Sequence, residues 1–269
     1  VKSHDESTYF PKEMWDELTN EMDIFLPILS EENHTLSSDF ITFIRKIANE
    51  FAALSAILLT QGCYGIYSIL NFGTAEQKEL YLEKLLKGNC IAGLGFCEYK
   101  HLNGLEDLET YATKTEQGWY LSGKKAMISN SSVADILLIL AKVKEQGKVE
   151  KYGLFIVDPK DSDVLIGEQI EKPGLIGLPL SSVTLKNVLL PENALLGDEL
   201  AGDVQFANII KNMQLGLSAI ALGVAEGAFN KGIEFAKVRR GFGKRLIDVE
   251  IHQNKFADLY NKLCSAEAY

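Results

Sequence analysis

The sequence is poor in the residues from which metal centres and nucleophilic sites are usually built. Its 269 residues include 4 cysteines and 4 histidines. Cys63, Cys90, Cys97 and Cys264 form no C-x-x-C pair, and His4, His34, His101 and His252 stand equally apart. Zinc sites and disulfide frameworks need clustered or paired ligands, so neither is supported and no metal is expected. There is no G-x-S-x-G elbow, no H-E-x-x-H helix and no glycine-rich dinucleotide fingerprint. Positive charge is also scarce, with 27 Lys and Arg against 37 Asp and Glu and a net charge of −10. A binder of phosphate backbone needs a basic stripe, so nucleic acid is not an expected partner. No run approaching the roughly 20 apolar residues of a membrane span is evident. Scattered thiols fit a reducing compartment, and a cytoplasmic location is expected.

With 46% hydrophobic residues the chain can bury a substantial core. Its first ninety residues read as helix. A helix is expected over residues 11–22. A stripe of Phe40, Ile44, Ile47, Phe51, Leu54 and Leu58 follows, with Ser37 or Ser38 as N-cap and Gly62 as stop. A third helix spans 74–87, where Thr74 and Gln77 have capping-box spacing and Gly88 ends it. The next hundred residues are strand-like. A strand over 118–124 enters a turn at Gly123, strands over 134–143 and 153–158 flank a charged hairpin at 144–151, and 182–190 alternates. Helical periodicity then returns and runs to the end. Helices, then strands, then helices argue for separate layers rather than βαβ units. The expected class is α+β and multidomain: a helical domain over 1–91, an antiparallel β-barrel or sandwich over 92–197, and a partial helical bundle over 198–269. The last helix carries no C-cap, so further helix is expected beyond it.

The stretch 208–243 carries unusual composition. Gly216, Ser218, Ala219, Ala221, Gly223, Ala225, Gly227 and Ala228 crowd one helix. Each helical glycine costs about 1 kcal/mol against alanine, so its backbone is expected to lie against another helix or a flat ligand. The helix ends in Arg239-Arg240-Gly241-Phe242-Gly243, whose guanidinium and free N–H groups suit an anion.

Several local patterns occur in the order known from one family. Gly73-Thr74-x-Glu76-Gln77-Lys78 with Tyr81-Leu82 resembles G-T-x-E-Q-K-x-x-Y-L. The run from Gly118 through Gly123-Lys124-Lys125 to Ile128-Ser129-Asn130 resembles G-W-x-L-N-G-x-K-x-W-I-T-N. Val188-Leu189-Leu190-Pro191 with Leu195-Leu196-Gly197, Arg239-x-x-Phe242-Gly243, and Phe256-Ala257-Asp258 resemble three later signatures. Together they resemble the acyl-CoA dehydrogenases, over roughly residues 51–258.

The resemblance implies an FAD-dependent oxidoreductase acting on an acyl-CoA thioester. It also implies a homodimer or homotetramer, with electron-transferring flavoprotein as a possible electron acceptor. It places Phe96, Cys97, Met127 and Ser129 at the flavin, with Arg239 and Phe242 at the diphosphate of FAD bound mainly by the neighbouring subunit, and Gln253 on the adenine side. Gly104, Leu105 and Gln214 fall on the substrate side. The departures are specific. The family's T-E-P-x-x-G-S-D loop is replaced from Cys97 to Asp107, retaining Glu98 and Gly104 as echoes. Met127 stands for a Trp, and Met213-Gln214 for an acid and an Arg. No catalytic base is assigned: most members carry it beyond the point where this sequence ends, and Glu226 lies too far along the helix from Met213. Two alternatives stay open: the same flavin fold with monooxygenase or nitroalkane-oxidase-like chemistry, and a flavin-free scaffold.

Overall fold

A computed structural model of the chain describes residues 10–29, 35–100, 104–143, 151–241 and 243–268. Helix α1 is Lys12–Glu21, α2 is Ser38–Glu50, and α3 is the continuous helical run Ala52–Phe72. Helix α4 is Ala75–Leu86, α5 is Gly202–Val238, 37 residues long, and α6 is Glu250–Ala268. Ser37 caps α2 by accepting from the Phe40 amide, and Thr74 and Gln77 complete a capping box on α4. Gly62 does not stop a helix. It lies in a wide π turn, Gln61–Tyr67, inside α3, where an added Cβ would sit 2.9 Å from Phe40 Cζ. The glycine serves close packing, and the buried backbone stays hydrogen-bonded through it.

The strands are β1 Ala92–Gly95, β2 Tyr111–Thr115, β3 Gly118–Ser129, β4 Ile136–Val143, β5 Lys151–Val157, β6 Val164–Gln169 and β7 Leu180–Leu190. They form one seven-stranded sheet. Pairing is antiparallel along β2-β3-β7-β6 and for β4-β5, as expected, but β4 also pairs in parallel with β1 and with β2. The expected turn at Gly123 is absent, because β3 runs straight through it. Gly123 is at φ +153, and a Cβ there would press into Thr110. The chain spends its glycine on a close approach of two strands.

Strand β4 is buried on both faces and divides two cores. Leu137, Ile139 and Ala141 join Trp119, Leu121, Phe155 and Val183 inside the curled sheet. Ile136, Leu138 and Leu140 face the other way, into a core shared with α2, α3 and Ile209, Met213 and Ile220 of α5. One core therefore runs through residues of all three thirds of the chain. The run Ala52–Phe72 is by composition long and apolar enough to cross a membrane, against the sequence expectation, but 94% of its apolar window is buried in this core. It behaves as a core helix.

The small-residue stripe of α5 packs against helices. An added Cβ at Gly223 or Gly227 would overlap the carbonyl oxygens of Arg45 or Asn49 in α2, and at Gly216 the side chain of Leu59 in α3. Of the two partners the composition allowed, the neighbour of these glycines is another helix. Further along, Gln77 joins two of the sequence patterns: its amide donates to the carbonyls of Asn193 and Leu195 at 2.9 Å, and the Gly197 amide donates to it at 3.1 Å.

Candidate functional site

The residues expected around a flavin meet where the end of β1 runs beside β3. Alternation along β3 buries Trp119 and Leu121, and the period of two puts Lys125 on the same inner side. A lysine thus occupies a position where the pattern calls for an apolar residue. Its side chain is 0% exposed, and its ammonium lies 2.8 Å from the carboxylate of Glu98, which is 4% exposed. Glu98 also accepts the amide of Glu109 at 2.7 Å and that of Thr110 at 3.0 Å. Gly95 leaves room for the lysine stem, since a Cβ there would lie 3.1 Å from Lys125 Cγ. Burial pushes the Lys125 ammonium down to about 8, partly offset by the charge of Glu98, so it stays charged at neutral pH. Burial alone would raise the Glu98 carboxyl. The Lys125 charge and the three hydrogen-bonding groups nevertheless hold it below its ordinary range.

Just past Lys125 the strand bulges. Lys125 pairs with Val183 and Ile128 with Ser181, so β3 takes three steps against two on β7. The extra residue reverses the facing: Ala126 and Ile128 are buried, while Met127 turns outward and is 47% exposed. Ser129 is half-buried beside it, and no hydrogen bond of its hydroxyl is found among the described residues. Asn130, at φ +66, closes the strand by donating to Thr60 Oγ1 at 2.9 Å.

The other expected residues on this side sit close by in the fold. Phe96 stacks obliquely on Phe206 of α5, with ring centroids 5.0 Å apart. The carbonyl of Cys97 accepts the Ala126 amide at 2.8 Å. Burial raises the Cys97 thiol despite nearby Lys125, which keeps it protonated and poorly nucleophilic. Gly104 begins the turn holding Leu105, which is half-buried against the helical core. Gln214 is exposed on α5, whereas its neighbour Met213 is buried in the core. His101 lies outside the described residues.

Arg239 and Gln253 are elsewhere. At 1.5 Å per residue, α5 carries Arg239 about 50 Å from Phe206. Arg239 is exposed at the C-cap of α5, and among the described residues no carboxylate pairs with it. It leads into a hairpin of β8, Arg240–Gly241, and β9, Lys244–Arg245, with Gly243 at φ +80. Phe242 lies outside the described residues. The Gln253 amide donates to the Ile247 carbonyl at 3.0 Å, so its NH₂ is engaged within its own turn. Glu226 is held in a fork by Arg45, which also reaches Glu267 of α6 at 2.8 Å. The Arg45 guanidinium thus ties α2, α5 and α6 together.

Three domain profiles of one family match the chain in sequence order. They are the acyl-CoA dehydrogenase N-terminal domain over residues 1–89, the middle domain over 93–188 and the C-terminal domain over 204–269. The chain belongs to the acyl-CoA dehydrogenase family. A mouse relative, the mitochondrial long-chain specific acyl-CoA dehydrogenase, is 27% identical over 75% of this chain and 47% of its own length. The caffeyl-CoA reductase-Etf complex subunit CarC of Acetobacterium woodii is 31% identical over 74% of this chain and 52% of its own. The chain thus spans about half the length of these relatives. Its fold matches butyryl-CoA dehydrogenase from Megasphaera elsdenii with a TM-score of 0.90 and 26% identity, covering 100% of this chain and 72% of that one.

The family implies FAD, and the side chains present fit it. An outward methionine next to a hydroxyl that has no protein partner among the described residues suits the face and polar edge of a flavin ring. An exposed arginine with no carboxylate partner among the described residues, near a left-handed glycine, suits a diphosphate. The sequence patterns singled out these positions as candidates. They did not identify Lys125 with Glu98 as a pair. The available signal was a charged residue at an inward position of an alternating strand.

Proposed function

We propose that this chain belongs to an FAD-dependent oxidoreductase acting on an acyl-CoA thioester, with each flavin site shared between two copies. The length of α5 carries the reading: Phe206, packed on Phe96 at the flavin side, and Arg239 lie about 50 Å apart along that helix in a single copy, while Ser129 and Arg239 suit different parts of one cofactor. FAD, when bound, supplies the hydride acceptor. Ser129 offers a hydrogen bond to the ring edge, Met127 covers its face, and Phe96 and Cys97 border it. Arg239 of a second copy would neutralise the diphosphate, with Phe242 packing beside it and Gln253 on the adenine side. Gly104, Leu105 and Gln214 line the approach of the thioester. Removal of the α-proton is assigned to no residue here, since Met213 is buried and apolar and Glu226 is bound by Arg45.

Electron-transferring flavoprotein is the proposed electron acceptor, supported by the name of CarC as a subunit of an Etf complex. The non-consensus run from Cys97 to Asp107 supports a second reading, in which the same flavin fold serves other chemistry. The shared site is tested by Arg239→Ala. Flavin content after gel filtration is expected to fall at least about tenfold, as loss of a charge-assisted contact would require. Full flavin retention in that variant would remove the diphosphate assignment.

A further inference from the structure

Three successive residues after β1 are each fastened to one of three successive residues of β3. The Cys97 carbonyl takes the Ala126 amide at 2.8 Å. Glu98 takes the Lys125 ammonium at 2.8 Å, and the ring of Tyr99 lies 4.7 Å under the Lys124 ammonium. These fastenings end where the bulge begins, one residue before outward Met127. The buried member of the set is the ion pair. Beyond Lys125, strict alternation would turn position 127 inward and 128 outward. The observed strand does the opposite.

We propose that Lys125 and Glu98 are positioning residues: their buried ion pair fixes the register of the bulge and so aims Met127 and Ser129 at the flavin. The inference rests on the flavin reading above. An apolar residue at 125 would fill the same space. The pair adds a requirement that one particular oxygen meet one particular ammonium, which a slipped strand cannot satisfy. Glu98 is itself pinned by the amides of Glu109 and Thr110, so the lysine is drawn to a fixed point. A buried pair of this kind contributes less to net stability than its charges suggest, because both must be desolvated. Its expected contribution is to geometry.

The test replaces both partners at once, Lys125→Met with Glu98→Gln, which leaves no unpaired buried charge and keeps a carbonyl to accept from Thr110. FAD affinity is read by quenching of flavin fluorescence, stability by thermal melting, and the strand by amide exchange at residues 126–130. The double variant is expected to melt within about 4 °C of the wild type. It is also expected to exchange faster at 126–130 and to bind FAD about tenfold more weakly. Wild-type FAD affinity in the double variant would overturn the proposal and leave the flavin reading intact. Failure of the double variant to fold would also overturn it, since the pair would then be a folding requirement. A wild-type chain that binds no FAD would sink the flavin reading and this inference with it.

Discussion

Gly227→Ala is expected to destabilise the protein by about 2–3 kcal/mol, the cost of forcing a methyl group into a filled interface. The sign is what makes this informative. In an open helix the same change gains about 1 kcal/mol, because alanine is the better helix former. At Gly227 the new Cβ would overlap the Asn49 carbonyl oxygen, a backbone atom that no side-chain rotation can move aside. Gly232 lies in the same helix and supplies the control. A Cβ there would meet only the Phe256 ring, at 3.6 Å, an ordinary contact. Gly232→Ala should therefore leave stability unchanged or raise it by up to about 1 kcal/mol. Urea unfolding of both variants measures the two effects. A Gly227→Ala protein as stable as wild type would mean that α5 and α2 do not meet through these glycines.

Lys125→Met alone is expected to cost about 3–5 kcal/mol, because it strands the Glu98 carboxylate in a buried site. Set against a typical domain stability of roughly 5–15 kcal/mol, that loss would leave a substantial unfolded fraction on mild heating. The same substitution made together with Glu98→Gln should recover most of the loss. Such non-additivity is the signature of two groups that interact directly. A loss in the double variant equal to the sum of the losses from Lys125→Met and Glu98→Gln made singly would show that the charges do not depend on each other.

The parts of this fold that were legible in the sequence are those set by local rules. Thr74 and Gln77 announced their capping box, the alternation in β7 announced a strand, and the run of small residues in α5 announced a close neighbour. The parts that were not legible depend on what lies across space. Gly62 and Gly123 read as a stop and a turn because glycine often ends elements, yet each serves a tertiary contact, with Phe40 and with Thr110. The parallel pairing of β4 with β1 and β2 joins segments separated by long connections, and no local pattern encodes it. At the candidate site, motif order singled out Ser129 and Arg239 but not how far Arg239 stands from the Phe96–Phe206 contact, which follows from the uninterrupted length of α5. The Glu98–Lys125 pair was hidden for a related reason, since a lysine in a strand ordinarily marks the solvent side.

The measurement that bears most directly on the proposed function is the visible absorption spectrum of the protein with FAD, recorded before and after anaerobic addition of a panel of acyl-CoA thioesters. Bound flavin should give its visible band, and one class of thioester should bleach it as hydride passes to the ring. A flavin band indifferent to every thioester would contradict acyl-CoA oxidation and leave the same fold to other chemistry. A spectrum with no protein-bound flavin would contradict the account at its root.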